Sequence, residues 1–433
     1  MWSIPSSPAL SESDQGDQGG TALGQYRRFD ASQDTDHAIV YGPTQIGKTA
    51  FVFDCIKASL DEPGTIVAVT CANRKAIMEQ TQSRFTKFKA GSSISVSSAD
   101  VGHVAPGGVI FCLDNYRQID RVLRKVKAAG PRRLVVFHDE GDTYIRPDSR
   151  VSGVWERGLA GLGAAVKHVI VTATPILCHW YLETNAADMI CLEPLPEYTG
   201  PADIELLPLT MDSLSEAIDV TPPGHLILYA TDRARAAQGK LLVTVCRAFP
   251  SAFVLTYNSN DYSFFLGSVT MQQWLEAIEA SSGYVRHRIK SDGRGTIPKS
   301  VALPAVLELM SNLPSDVPRI IIGKELINRG TTFCSGDMAA VSMVADLCPS
   351  THATQIVQLF GRLTGTAAVG VHRRIWTDER FAQMYREAIA QADYIRDKVH
   401  ECDVGTTKQI LEAGIPSVHG HDDRLPVPYV AME

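Results

Sequence analysis

The sequence predicts an α/β fold in which two tandem domains each carry a parallel sheet flanked by helices. Three observations predict it. Short apolar, largely β-branched runs alternate with amphipathic stretches, as at Thr65–Thr70, Val109–Leu113 and Leu134–His138, and such continuous runs are what strands covered on both faces require. The alternation lapses in a proline-bearing stretch near residue 200 and restarts at Leu226-Ile227-Leu228-Tyr229-Ala230. The chain has 433 residues, 45% of them hydrophobic and 21% charged, an ordinary globular composition that is long enough for two or three domains.

Residues 1–24, with Ser-Ser-Pro, Ser-Glu-Ser-Asp and Gln-Gly-Asp-Gln-Gly-Gly, are too poor in apolar groups to offset their ordering entropy and read as a disordered tail. A first domain is expected over 25–200. It opens with the strand His37–Tyr41, followed by Gly42-Pro43-Thr44-Gln45-Ile46-Gly47-Lys48-Thr49 and by an apolar helical stripe over 50–57. The eight residues fit G-x-x-x-x-G-K-[ST]. Gly42 and Gly47 allow a backbone whose N–H groups converge on an anion, Lys48 adds a mobile positive charge, and the Thr49 hydroxyl suits magnesium. Thr44, Gln45 and Ile46 complete the candidate cradle, which the dipole of the following helix reinforces. A chance glycine turn is the alternative, and the flanking strand and helix weigh against it.

Further strands end in polar groups on the edge where open α/β sheets bind ligands. Thr65–Thr70 leads through Arg74 into a helix that runs toward Phe88. Val109–Leu113 leads into a helix with Arg117, Arg121, Arg124, Lys125 and Lys127, read first as a solvated face. Leu134–His138 ends in Asp139-Glu140-Gly141-Asp142. A carboxylate at a strand end beside a phosphate loop can hold magnesium, and a neighbouring glutamate can deprotonate the attacking water. Taken alone, the same residues could be an acidic surface turn. His168–Val171 ends in Thr172-Ala173-Thr174-Pro175, where strand-end hydroxyls could bond Asp142 or form an ordinary turn.

Six prolines between Glu193 and His225 mark a linker, placed at 201–222. A second domain is expected over 223–380, with an irregular insertion at about 258–317 that holds the basic stretch Tyr284–Lys290. Its strand at Arg319–Ile322 precedes Arg329-Gly330-Thr331-Thr332. An amphipathic helix over 351–363 then presents Gln358-Leu359-Phe360-Gly361-Arg362. An arginine facing a phosphate loop across a cleft can stabilise charge on a transferred phosphoryl group; pairing with a nearby carboxylate is the alternative. A strand at 371–376 and a helical extension with a tail over 381–433 close the chain.

In the order of these motifs the sequence resembles the superfamily-two DExD/H helicases and translocases, P-loop NTPases built of two RecA-like lobes. Residues 42–49 look like motif I, Thr70 to Arg74 like Ia, Asp139–Asp142 like II, Thr172-Ala173-Thr174 like III, Arg329-Gly330 like V and 358–362 like VI. The resemblance covers about residues 25–380. It implies ATP and Mg2+ as ligands, Lys48 on the β- and γ-phosphates, and Thr49 and Asp139 on the metal. It gives Glu140 the attacking water, Gln358 the water or γ-phosphate, and makes Arg362 the arginine finger. Asp142, Thr172 and Thr174 would couple nucleotide state to the lobes, and Thr70, Arg74, Arg329 and Gly330 would touch a nucleic-acid backbone. The sequence departs from the pattern at Gly365, where motif VI carries a second arginine, and at Thr331-Thr332, where some relatives place a carboxylate.

The net charge of -7 argues against a surface coated in positive potential, so a nucleic-acid contact has to come from a local groove. Nine cysteines without a C-x-x-C pair suggest reduced thiols and an intracellular, soluble protein, and no apolar run has the length of a membrane span. The expected function is an ATP-dependent nucleic-acid helicase or translocase acting on DNA or RNA, with room for a protein partner that supplies charge or stimulation. The alternative is a helicase-fold assembly protein with weak, absent or partner-dependent NTPase activity.

Overall fold

A computed structural model describes residues 36–71, 75–141, 150–174, 188–231, 235–258, 261–266, 269–283, 289–298, 301, 303–323 and 333–401. Arg74, Asp142, Arg329, Gly330 and most of the basic stretch 284–290 lie outside the described residues.

The first lobe comprises β1 (His37–Tyr41), α1 (Lys48–Leu60), β2 (Thr65–Cys71), α2 (Lys75–Phe88), β3 (Ser95–Ser98) and β4 (Gly108–Leu113). It continues with α3 (Tyr116–Ala129), β5 (Arg133–Asp139), α4 (Arg150–Leu159), β6 (Ala165–Thr172) and β7 (Asp188–Cys191). Its seven strands run in the order β3-β4-β2-β5-β6-β1-β7, every neighbour parallel. A parallel sheet buries both faces, and two apolar cores duly flank this one. Val40, Val69 and Phe137 point to the core that α1 and α2 cover, and Ile39, Ala68 and Val136 to the core that α3 and α4 cover. The helices stop where chemistry requires: Asn115 accepts a hydrogen bond from the Gln118 N–H at 3.1 Å to cap α3, and Gly130 takes a left-handed φ of 59° behind it.

The second lobe contains β8 (Ile204–Pro208), α5 (Ser213–Val220), β9 (Leu226–Thr231), α6 (Arg235–Ala248), β10 (Phe253–Tyr257) and β11 (Asp261–Phe265). It goes on through α7 (Val269–Ser282), β12 (Arg294–Pro298), α8 (Leu303–Ser311), β13 (Arg319–Gly323), β14 (Cys334–Ser335), β15 (Met338–Asp346), α9 (Ala353–Phe360) and β16 (Arg373–Thr377). A last helix, α10, spans Glu379–Glu401. The sheet order is β12-β11-β10-β13-β9-β15-β16-β8, with β14 paired to β15 off this path.

Three differences from the sequence reading have physical reasons. Residues 201–222 carry a strand and a helix: β8 pairs in parallel with β16 at the sheet edge. Its prolines occupy tolerant places, Pro201 opening a 3-10 turn, Pro208 ending an edge strand, and Pro222 and Pro223 following α5. The irregular region 258–317 supplies β11, antiparallel to β10, and β12, antiparallel to β11, which extend the sheet, together with α7 and α8. Finally, β15 lies deep in the sheet between β9 and β16, although its sequence Met-Ala-Ala-Val-Ser-Met-Val-Ala-Asp has few β-branched residues to announce it.

Over its described residues the C-terminal extension is structural. Phe381, Met384, Tyr385 and Ala388, at helical spacing on α10, are buried in the second lobe's core. Ala392 and Ile395 prolong the same stripe into the core of the first lobe, with Tyr41, Met189 and Cys191. One helix therefore packs into both lobes. Among the described residues no helix is long and apolar enough to cross a membrane.

Candidate nucleotide site at the lobe interface

The phosphate loop connects β1 to α1. Gly47 sits at φ 102° as the N-cap residue of α1, a conformation that L side chains resist, and Gln45 is held at φ 62°. The Lys48 ammonium donates to the Gly42 and Pro43 carbonyls, both at 2.7 Å. The cation thus caps its own loop, from which phosphate oxygens could draw it.

Strand order then brings the other groups in. β6 lies between β1 and β5, so the end of β6 separates the loop from Asp139 at the end of β5. Thr172 and Thr174 fill that gap, fully buried. Their hydroxyls lie 3.1 Å apart, and the Thr174 N–H donates to Thr172 Oγ1 at 3.0 Å. Gly42 N–H donates to Thr172 O at 3.3 Å, which ties the turn to the loop.

Asp139 is pushed up to about 6, first by burial and then by the charge of Glu140, with Lys48 pulling the other way. Glu140 adopts φ 52°, rare for a residue with a side chain, and its Oε2 is buried with no hydrogen-bond partner among the described residues. Two adjacent carboxylates, one with an unsatisfied oxygen and the other within reach of the Lys48 charge, form an oxygen-rich set suited to a hard divalent cation with a phosphate. The described residues contain no cluster of three His, Cys, Asp or Glu able to hold a metal alone.

The second lobe reaches the loop directly. Gln358 and Arg362 are both buried, Gln358 on α9 and Arg362 in the 3-10 turn Gly361–Leu363 that follows. Gln45 Nε2 donates to Arg362 O at 3.0 Å and Gly361 O at 3.4 Å. The Thr364 and Tyr198 hydroxyls donate to Thr44 O at 2.8 and 2.7 Å. Gly365 and Thr199 exchange two backbone hydrogen bonds of 3.0 Å. A Cβ on Gly361 would overlap the Thr44 side chain. Behind the turn, buried Arg373 donates to Ala340 O at 3.1 Å and Ala368 O at 3.3 Å, pinning the segment after Gly365.

Of the sequence-derived site residues, Gly42 to Thr49, Asp139, Glu140, Thr172, Thr174, Gln358 and Arg362 come to one end of the first sheet and the turn that faces it. Thr70 stands at the same end of that sheet, opposite His138 in the register of β2 on β5. Its side chain is buried, and its hydroxyl meets His138 Nδ1 at 3.2 Å. The sequence reading missed Tyr198, Thr199 and Thr364, which carry no local signal because their partners lie 154 to 320 residues away. It also missed a row of histidines. His37 and His138 each stack on His168, with ring centroids 5.4 and 5.3 Å apart. His138 Nε2 and His168 Nδ1 share a 3.0 Å hydrogen bond, and Trp155 packs edge-on against both rings.

No protein-family model and no characterised relative matches the sequence. Two solved structures of Escherichia coli proteins match the fold. The DEAH/RHA helicase HrpB aligns with a TM-score of 0.50 at 13% identity, covering 92% of this chain and 48% of that one. A second structure, described as the DExH-box NTPase HrpB, aligns at TM-score 0.50 and 13% identity over 84% and 42%. The fold is a helicase-like pair of RecA-like lobes. The chain spans about half the length of these structures.

Proposed function

We propose that the protein is an ATP-dependent nucleic-acid helicase or translocase that couples hydrolysis between its lobes to movement on, or remodelling of, DNA or RNA. The observation that carries this reading is the direct contact between Thr44 and Gln45 of the phosphate loop and the turn that holds Arg362. Such an arrangement lets the nucleotide state of one lobe set the position of the other.

In this reading Lys48 leaves its two carbonyls for the β- and γ-phosphates, and the N–H groups at the start of α1 hold the remaining charge. Thr49 and Asp139 hold Mg2+, which when bound neutralises charge on the phosphates. Glu140 orients the attacking water and takes its proton, Gln358 places that water or the γ-phosphate, and Arg362 stabilises the charge developing on the transferred group. Thr172, Thr174 and Asp142 carry the change of state to the lobes. Arg74, Arg329 and Gly330 serve the nucleic-acid backbone, to which Thr70, its side chain buried, can offer only main-chain atoms. The division into a first domain over 25–200 and a second that begins with β8 and runs to about 380, and an intracellular location, belong to the same proposal.

The test is the ATPase rate with single-stranded and duplex DNA and RNA at two salt concentrations. Stimulation by a polynucleotide is expected. Lys48→Ala should abolish turnover, and Glu140→Gln should lower kcat by roughly 10²–10⁴. A protein that never binds ATP would sink the proposal and leave an assembly protein on a helicase fold. Turnover that no polynucleotide alters would indicate a partner-driven NTPase.

A further inference from the structure

We propose that Gln45 is a positioning residue for Arg362, fixing the arginine-bearing turn of the second lobe against the phosphate loop; the inference rests on the NTPase reading above. Position 45 is one of the unspecified places of G-x-x-x-x-G-K-[ST], so phosphate binding does not dictate its side chain. Here it is an amide that spends its donor on the opposite lobe, on Arg362 O at 3.0 Å and Gly361 O at 3.4 Å. The backbone at Gln45 is held in the left-handed region, φ 62°, a conformation that neighbouring contacts must maintain.

Those contacts are present. Gly361 lies so close to Thr44 that no Cβ fits, and the Thr364 and Tyr198 hydroxyls both close on Thr44 O. Gly365, at φ 117°, packs against the Gln45 side chain while it pairs with Thr199. The main chain on both sides of Arg362 is thereby registered on loop atoms. How far a guanidinium reaches into a site follows from where its backbone is anchored, and displacement by about 1 Å can cost about 10²-fold in rate. The Gln45 side chain therefore acts on turnover through Arg362, without itself being a ligand of the nucleotide.

Gln45→Met keeps the length of the side chain and removes the donor without adding a charge beside the phosphates. Thr364→Val removes a second tie, from the other lobe. Two measurements on the full chain read the result. In the first, a fluorescent ATP analogue gives Kd and steady-state assays give kcat; Gln45→Met should leave Kd within about threefold while kcat falls about tenfold to 10²-fold, and Thr364→Val should move in the same direction. In the second, amide hydrogen exchange without nucleotide should speed up in the segment 361–365 in both variants, with melting temperature unchanged. Weakened analogue binding at unchanged kcat would overturn the proposal by making Gln45 a nucleotide ligand. Unchanged exchange at 361–365 would overturn it whatever the turnover. Faster exchange in a protein whose wild type hydrolyses nothing would support the tie and refute the NTPase reading.

Discussion

Asp139 shows how one residue's surroundings set a measurable response. Burial and the neighbouring Glu140 raise its carboxyl to about 6, so on the proposed function a cation bound there would have to displace a proton below that pH. The affinity for Mg2+ and nucleotide should rise as pH passes through about 6, and Asp139→Asn should flatten that rise; a pH series of Mg2+-dependent nucleotide binding checks it. The stability effect has the opposite sense. A carboxyl raised in the folded state contributes stability that is fully present below its unfolded value, near 4, and is lost as pH rises through about 6. Asp139→Asn should therefore stabilise the nucleotide-free protein at pH 8 by on the order of 1–2 kcal/mol, read by denaturant titration. The sequence motif announced this carboxylate because its chemistry is local. It could not announce the setting of Gly365, which in sequence stands as an absent arginine. In the fold its φ of 117°, its pairing with Thr199 and its contact with Gln45 make it a close-approach position, where any side chain would be strained.

At the scale of elements, strands were legible where burial on both faces demanded β-branched residues. β2 and β5 are such runs. β15 was hidden because alanine, methionine and serine fill it, and β8 because prolines at its margins imitate a linker. The histidine row crosses β1, β6 and β5, and only the strand order makes it visible: His37 and His168 are direct partners in register, while 131 residues of sequence separate them. Burial pushes His168 down to about 3 and His138 well below its usual value, with neighbouring histidines adding to the effect. A histidine depressed in the folded state contributes stability that is present above about 6.5 and is lost as pH falls toward its folded value. Each of the two should cost the first lobe about 1.4 kcal/mol per pH unit below 6.5. Chemical denaturation at pH 7 and pH 5 should show this loss, and His168→Gln should have a shallower slope between them. Equal slopes in both proteins would mean that the row is already charged.

For the whole molecule, the decisive element is α10, because it belongs to two cores at once. Its first two turns carry Phe381, Met384 and Tyr385 into the second lobe, where Tyr385 packs on Phe360 of α9 with centroids 5.1 Å apart. Three turns on, Ile395 is 1% exposed among first-lobe residues. Contacts between lobes of one chain are often small and polar, so relative motion is the usual expectation. Here the polar ties at Thr44 and Gln45 are backed by an apolar strap, and the two supports differ in what breaks them. On the proposed function nucleotide would compete for the loop, but it would have no purchase on a buried isoleucine. The lobes should consequently unfold together in the wild type and shift against each other only within what the strap allows. Ile395→Ala should cost about 2–4 kcal/mol, borne by the first lobe, while Phe381, Met384 and Tyr385 keep the helix on the second. Calorimetry should then resolve two transitions where the wild type gives one. A single transition that merely moves down would mean that the ties at the phosphate loop suffice to couple the lobes, and that α10 adds stability without adding cooperativity.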